Sequence, residues 1–192
     1  MAAVKNLEDL FINLLKDVYH AEKQILKALP KMAKKADSDQ LRQAFETHRE
    51  ETLGQVERLE QVFEIFGKRA RGEPCEAMKG LVEEAEEIME EVEDRDTLDA
   101  GLISSAQAVE HYEIARYGTL IAWAKQLGRD DAANLLHQTL EQEKHADQLL
   151  TEIAEASVNR EAMVEGEGGR NAVQVERSAG SRSGSKGRQA AE

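Results

Sequence analysis

Five glutamates, Glu22, Glu51, Glu110, Glu113 and Glu143, fall on rows where helical periodicity otherwise places apolar residues. An ionised carboxylate taken out of water is costly unless it is paired. Two such charges about 4 Å apart repel by about 4 kcal/mol even at an effective dielectric near 20. If the helices that carry them pack antiparallel, their midpoints meet at one level and the carboxylates converge. Neutralisation by a pair of bound cations is the chemistry this pattern favours. Carboxylate oxygens suit hard ions such as Mn²⁺, and nitrogen donors raise the preference for iron. The expected cofactors are therefore two metal ions, iron or manganese.

Neighbours on the same faces add to the set. His48 precedes Glu51 by three positions and Gln55 follows it by four; Glu113 follows Glu110 by three; Asp147 follows Glu143 by four. Each spacing brings side chains onto one face of a helix. Di-iron and di-manganese bundles use one Glu from each of two helices and Glu-x-x-His from each of the other two. Here Gly54 and Ala146 stand where those imidazoles would be. The candidate ligands are Glu22, Glu51, Glu110, Glu113 and Glu143, with His48 and Asp147 as substitutes, in an oxygen-rich site. Tyr19 and Tyr112 are candidates to hydrogen-bond ligand carboxylates. His111 is expected beside the site and His145 to point aside. A metal-free alternative stands next to this reading: a helical scaffold that dimerises or binds partners, its core glutamates protonated. No pattern assigns a catalytic group.

The elements that must position these residues are long helices. The first is expected from Asn6 to Ala36, with Pro30 inside it as a source of a kink. Asp37-Ser38-Asp39 caps a second helix that stops at Gly67. A polar break and a shorter helix near Cys75 to Glu93 follow, its Glu83–Glu93 run forming a solvated face. Two more long helices run from about Thr97 to Leu127, ended by Gly128, and from about Asp130 to Val158. About thirty residues separate the second long helix from the third, enough to carry the chain back along a bundle of ~45 Å. The third then runs parallel to the second, the arrangement of ferritin-like folds. The fold class is all-α: a ferritin-like four-helix bundle with an extra crossover helix, residues 1–159. Residues 160–192, rich in Gly, Ser and Arg, are expected to be a disordered tail.

Composition agrees with that class. Of 192 residues, 41% are apolar, 33% charged and only 4% aromatic, as in a helical protein rich in Ala, Glu, Lys and Leu. A net charge of −13 repels phosphates and argues against nucleic acid as the main partner, while it attracts cations. One cysteine, Cys75, excludes an intramolecular disulfide and a cysteine-based zinc cage. No secretory signal and no membrane span is expected, and the compartment expected is the cytoplasm.

Five ordered segments carry a resemblance: Asp17–Gln24, His48–Thr52, Gln55–Glu60, Val109–Ile114 and Glu141–Lys144. They resemble the YciE/YciF-type family of ferritin-like bacterial proteins over roughly residues 4 to 158. The resemblance implies an association with stress responses, a homodimer of helical subunits, and a di-metal centre with ligands at Glu22, Glu51, Glu110, Glu113 and Glu143. If the centre is catalytic, its metals would react with O₂ or peroxide.

Overall fold

The computed structural model describes residues 4–163. Its helices are α1 (Leu7–Lys35), α2 (Asp39–Ile65), α3 (Glu76–Glu91), α4 (Arg95–Gln126) and α5 (Asp130–Ile153), and α5 continues into a π-helical turn, Ala154–Val158. The helical trace runs on to residue 163, past the boundary expected at 159. The remaining tail positions lie outside the described residues.

Local chemistry sets the ends. Asn6 and Ser38 accept from the backbone N–H groups of Asp9 and Leu41 and cap α1 and α2. Asp94 does the same for α4, whose first turn begins two residues earlier than expected, at Arg95. Gly67 and Gly128 adopt φ of 64° and 70° just past α2 and α4, the left-handed conformation that glycine takes at least cost. Pro30 lies within α1 and leaves one carbonyl of the preceding turn without its helical N–H.

Short turns make α1/α2 and α4/α5 antiparallel hairpins, and α2 packs on α5 while α1 packs on α4. The contacts fix direction. Tyr19 meets Glu60 and Phe11 meets Phe66, so α1 and α2 oppose. Gln107 bonds Thr151 and Arg58 bonds Thr139, so α5 opposes both α4 and α2. It follows that α4 runs parallel to α2, as the long connection required. The crossover helix α3 lies over α1 and α4, burying Met78, Ala85 and Met89 while its glutamate run faces water.

The interior has two apolar halves. One is built from residues such as Leu29, Leu41, Phe45, Met78, Leu102 and Leu150; the other contains Phe11, Leu15, Phe63, Tyr117, Leu120 and Leu136. Between them, in chain position and in space, lies a polar layer: Glu22, His48, Thr52, Gln55, Glu110, Glu113 and Glu143, all buried.

A candidate metal centre between four helices

Each long helix contributes to this layer. Glu22 (α1) and Glu143 (α5) have no exposed surface, Glu113 and Glu110 (α4) have 1% and 3%, and His48 (α2) has 6%. His48, Glu110, Glu113 and Glu143 each bring one ligand atom within 4.8 Å of all the others, and could hold a metal ion. The His48 Nε2 atom lies 3.3 Å from Glu110 Oε1 and 3.7 Å from Glu143 Oε2, and its Nδ1 atom is 3.6 Å from Glu51 Oε2.

The electrostatics follow from burial. Loss of water pushes the carboxyls of Glu22, Glu110 and Glu113 well above their ordinary value, and the charge of Glu143 adds to each. Glu143 is raised by burial too, with His48 acting in the opposite sense. The Tyr117 phenol, wholly buried, donates to Glu22 Oε1 and so holds that oxygen in the hydrogen-bonded state; burial and the nearby Glu22 charge push the phenol upward. Arg58 reaches in from α2, donating to Thr139 Oγ1 at 2.9 Å and to Gln142 Oε1 on α5. Its charge favours the ionised forms of Glu22 and Glu143.

Partnering is incomplete. With the carboxyls ionised, nine buried side-chain atoms of Glu22, His48, Gln55, Glu110, Glu113 and Glu143 have no hydrogen-bond partner, including both oxygens of Glu113 and of Glu143. Protons shared between Glu22 and Glu113 and between Glu110 and Glu143 are the metal-free way to pair some of them. Buried polar atoms without partners are rare in folded proteins and each calls for an explanation. The donors are hard carboxylate oxygens with a single imidazole, a set that fits Mn²⁺ or Fe²⁺.

The seven sequence candidates do not end up alike. His48, Glu110, Glu113 and Glu143 are brought together. Glu22 adjoins them, close enough that its charge raises Glu113 and that the charge of Glu143 raises both. Glu51 sits at the rim with its side chain 28% exposed, touching the group through His48. Asp147 is turned toward α4: its Oδ1 accepts from Gln107 Nε2 at 3.0 Å and lies 3.3 Å from the exposed His111, while its charge still acts on Glu110. Tyr19 bonds Glu60 and Tyr112 lies 3.0 Å from Cys75 Sγ, so neither phenol reaches the cluster.

Two residues went unsingled in the sequence. Tyr117 is one helical turn past Glu113, on the same row, and Arg58 is one turn past Gln55. A polar tip continuing the row of a buried carboxylate was the available signal for both.

A helical bundle with a buried carboxylate–imidazole layer is the class this chain represents, and comparison with known proteins gives its family. The profile of a domain of unknown function, DUF892, matches residues 6–163, and the chain belongs to that family. It is 50% identical over 160 residues to protein YciF of Escherichia coli K12, covering 83% of this chain and 96% of that protein. The crystal structure of that E. coli stress protein superposes with a TM-score of 0.78, spanning 81% of this chain and 99% of that one. YcfI from Rhodopseudomonas palustris, for which a structural role has been suggested, is 49% identical, with a TM-score of 0.77, and covers 78% of this chain and 96% of its own. The YciE/YciF-type resemblance and the all-α bundle read from the sequence both stand.

Proposed function

We propose that this protein is a ferritin-like carboxylate protein that binds two ions of iron or manganese and serves in a stress response. The observation that carries the reading is the set of nine unpartnered buried donor atoms, contributed by α1, α2, α4 and α5. His48, Glu110, Glu113 and Glu143 would hold one ion, and Glu22 and Glu51, which flank them, would extend the set to a second. Bound there, iron or manganese would supply redox chemistry toward O₂ or peroxide. The chain's own part is to bring the charges together, to exclude water with the two apolar halves, and to hold the Tyr117 proton against Glu22. The stress role rests on the description of the E. coli relative. A cytoplasmic homodimer completes the proposal; among the described residues no helix is long and apolar enough to cross a membrane.

A metal-free scaffold has one feature in its favour, the absence of imidazoles at Gly54 and Ala146. An anaerobic Fe²⁺ titration followed by exposure to O₂, watched by absorbance, separates the two. Saturable Fe²⁺ binding with an absorbance change on oxidation is expected. No Fe²⁺ uptake overturns the proposal in favour of the scaffold.

A further inference from the structure

The cluster is sealed on most sides. Glu22, Thr52, Gln55, Glu113 and Glu143 have at most 1% of their surface exposed. A recess of about 70 Å³ opens between α2 and α5, and Glu51, His48 and Glu110 form its polar wall with Thr47 and His145. Two small residues, Ala44 and Ala146, are also part of its lining. Ala44 and Thr47 belong as well to a broader groove of about 560 Å³ between the same two helices, so groove and recess adjoin. A second cavity that touches Glu110, about 30 Å³ between α1, α3 and α4, has Ser105 as its only other polar wall residue, an unfavourable path for a hydrated ion.

The donors in the recess form a series. Glu51 stands at the rim with its side chain 28% exposed; its Oε2 lies 3.6 Å from His48 Nδ1, and the other nitrogen of that ring lies 3.3 Å from Glu110 Oε1. A cation that leaves water for a low-dielectric interior needs polar groups in place of its hydration shell, and this row offers such ligands from solvent to interior. The net charge of −13 raises the local concentration of cations around the chain.

We propose that the α2–α5 recess is the route by which divalent cations reach the buried cluster, and that Glu51 takes the ion at the rim and passes it inward past His48. Ala146 has a part in this: its methyl group leaves open the space that an imidazole at the same position would occupy. The inference rests on the metal-binding reading and adds a transfer role to the place of Glu51 at the edge of the ligand set.

Stopped-flow uptake of Co²⁺ by the EDTA-treated full chain tests it, with the visible absorbance of bound Co²⁺ as the signal and Co²⁺ per chain at equilibrium as a second readout. Ala44→Leu and Ala146→Leu, on different helices, narrow the recess; thermal melting checks that each is folded. Both are expected to slow uptake by about tenfold or more, inside the ~1–3 decades over which association rates vary among variants of one site, with the final Co²⁺ content unchanged. Glu51→Gln should slow uptake more than it lowers equilibrium content. Parent-like uptake rates in both folded narrowing variants overturn the route. An affinity loss in Glu51→Gln with an unchanged rate of uptake overturns the transfer role. Failure of the parent chain to bind Co²⁺ at all overturns the metal reading itself, and this inference with it.

Discussion

At the residue scale the protein holds an unfavourable arrangement in place. Four carboxyls whose ordinary value is 4.5 sit where burial pushes them upward, and for Glu22, Glu110 and Glu113 the charge of Glu143 adds to it. One pKa unit corresponds to about 1.4 kcal/mol, so each costs stability at neutral pH when no cation is bound. Glu113, with both oxygens unpartnered, is the clearest case. Replacing it with Gln should stabilise the EDTA-treated protein at neutral pH by about 1–2 kcal/mol, read by denaturant unfolding, and should weaken Mn²⁺ binding in the same preparation. A loss of stability without metal would show that its charge is compensated in a way the geometry does not reveal.

The inward set was legible because Glu22, Glu113 and Glu143 lie on unbroken apolar rows, whereas the roles of Glu51 and Asp147 were not. Successive helical residues turn by about 100°, so a residue four places on is rotated by about 40°. On α2 the inward places go to His48, Thr52 and Gln55, which leaves Glu51 at the rim. On α5 the same rotation brings Asp147 to Gln107 and His111 of α4. Spacing alone identifies a shared face; which side of it meets a neighbour depends on packing.

At the scale of elements, the crossover helix is what lets α4 run parallel to α2 and present Glu110 and Glu113 at the height of Glu22. Its seat depends on close approach to α4. A Cβ at Gly101 would lie 2.7 Å from Ile88 Cγ2, nearer than side-chain carbons come. Gly101→Ala should therefore push α3 from α4 and destabilise by about 1–3 kcal/mol, measured as a lower midpoint of thermal or urea unfolding. An unchanged midpoint would mean that α3 shifts at no cost. The sequence anticipated each helix to within a few residues because caps such as Ser38 and stops such as Gly67 act locally. The start of α4, expected at about Thr97, lies at Arg95, because Asp94 caps the helix by accepting from the Thr97 backbone N–H three residues on. The change to a π-helical turn at Ala154 has no such marker.

For the whole molecule, the buried carboxyls set a direction of pH dependence. Their folded values lie above the unfolded one, so between the two the folded state binds more protons. The stability of metal-free protein is then highest below the ordinary value of 4.5 as far as these groups are concerned, and falls as pH rises through their raised values. Melting in EDTA should shift downward from mildly acidic to mildly alkaline buffer. Saturating Mn²⁺ should reduce that slope, because the cation takes over the neutralising role of the protons. A melting temperature in EDTA that rises over the same interval would show that groups outside the cluster dominate.

On the proposed function, bound cations neutralise the cluster. Thermal melting at neutral pH, in EDTA and again with Mn²⁺ in excess, is the most direct measurement of it. A ligand at about 100 times its Kd stabilises by about 2.7 kcal/mol, which for a chain of this size raises the melting temperature by roughly 5–10 °C. The parent protein should show that rise, and a chain with Glu113→Gln and Glu143→Gln together should not. Coincident melting of the parent with and without Mn²⁺, repeated with Fe²⁺ under anaerobic conditions, would contradict the account.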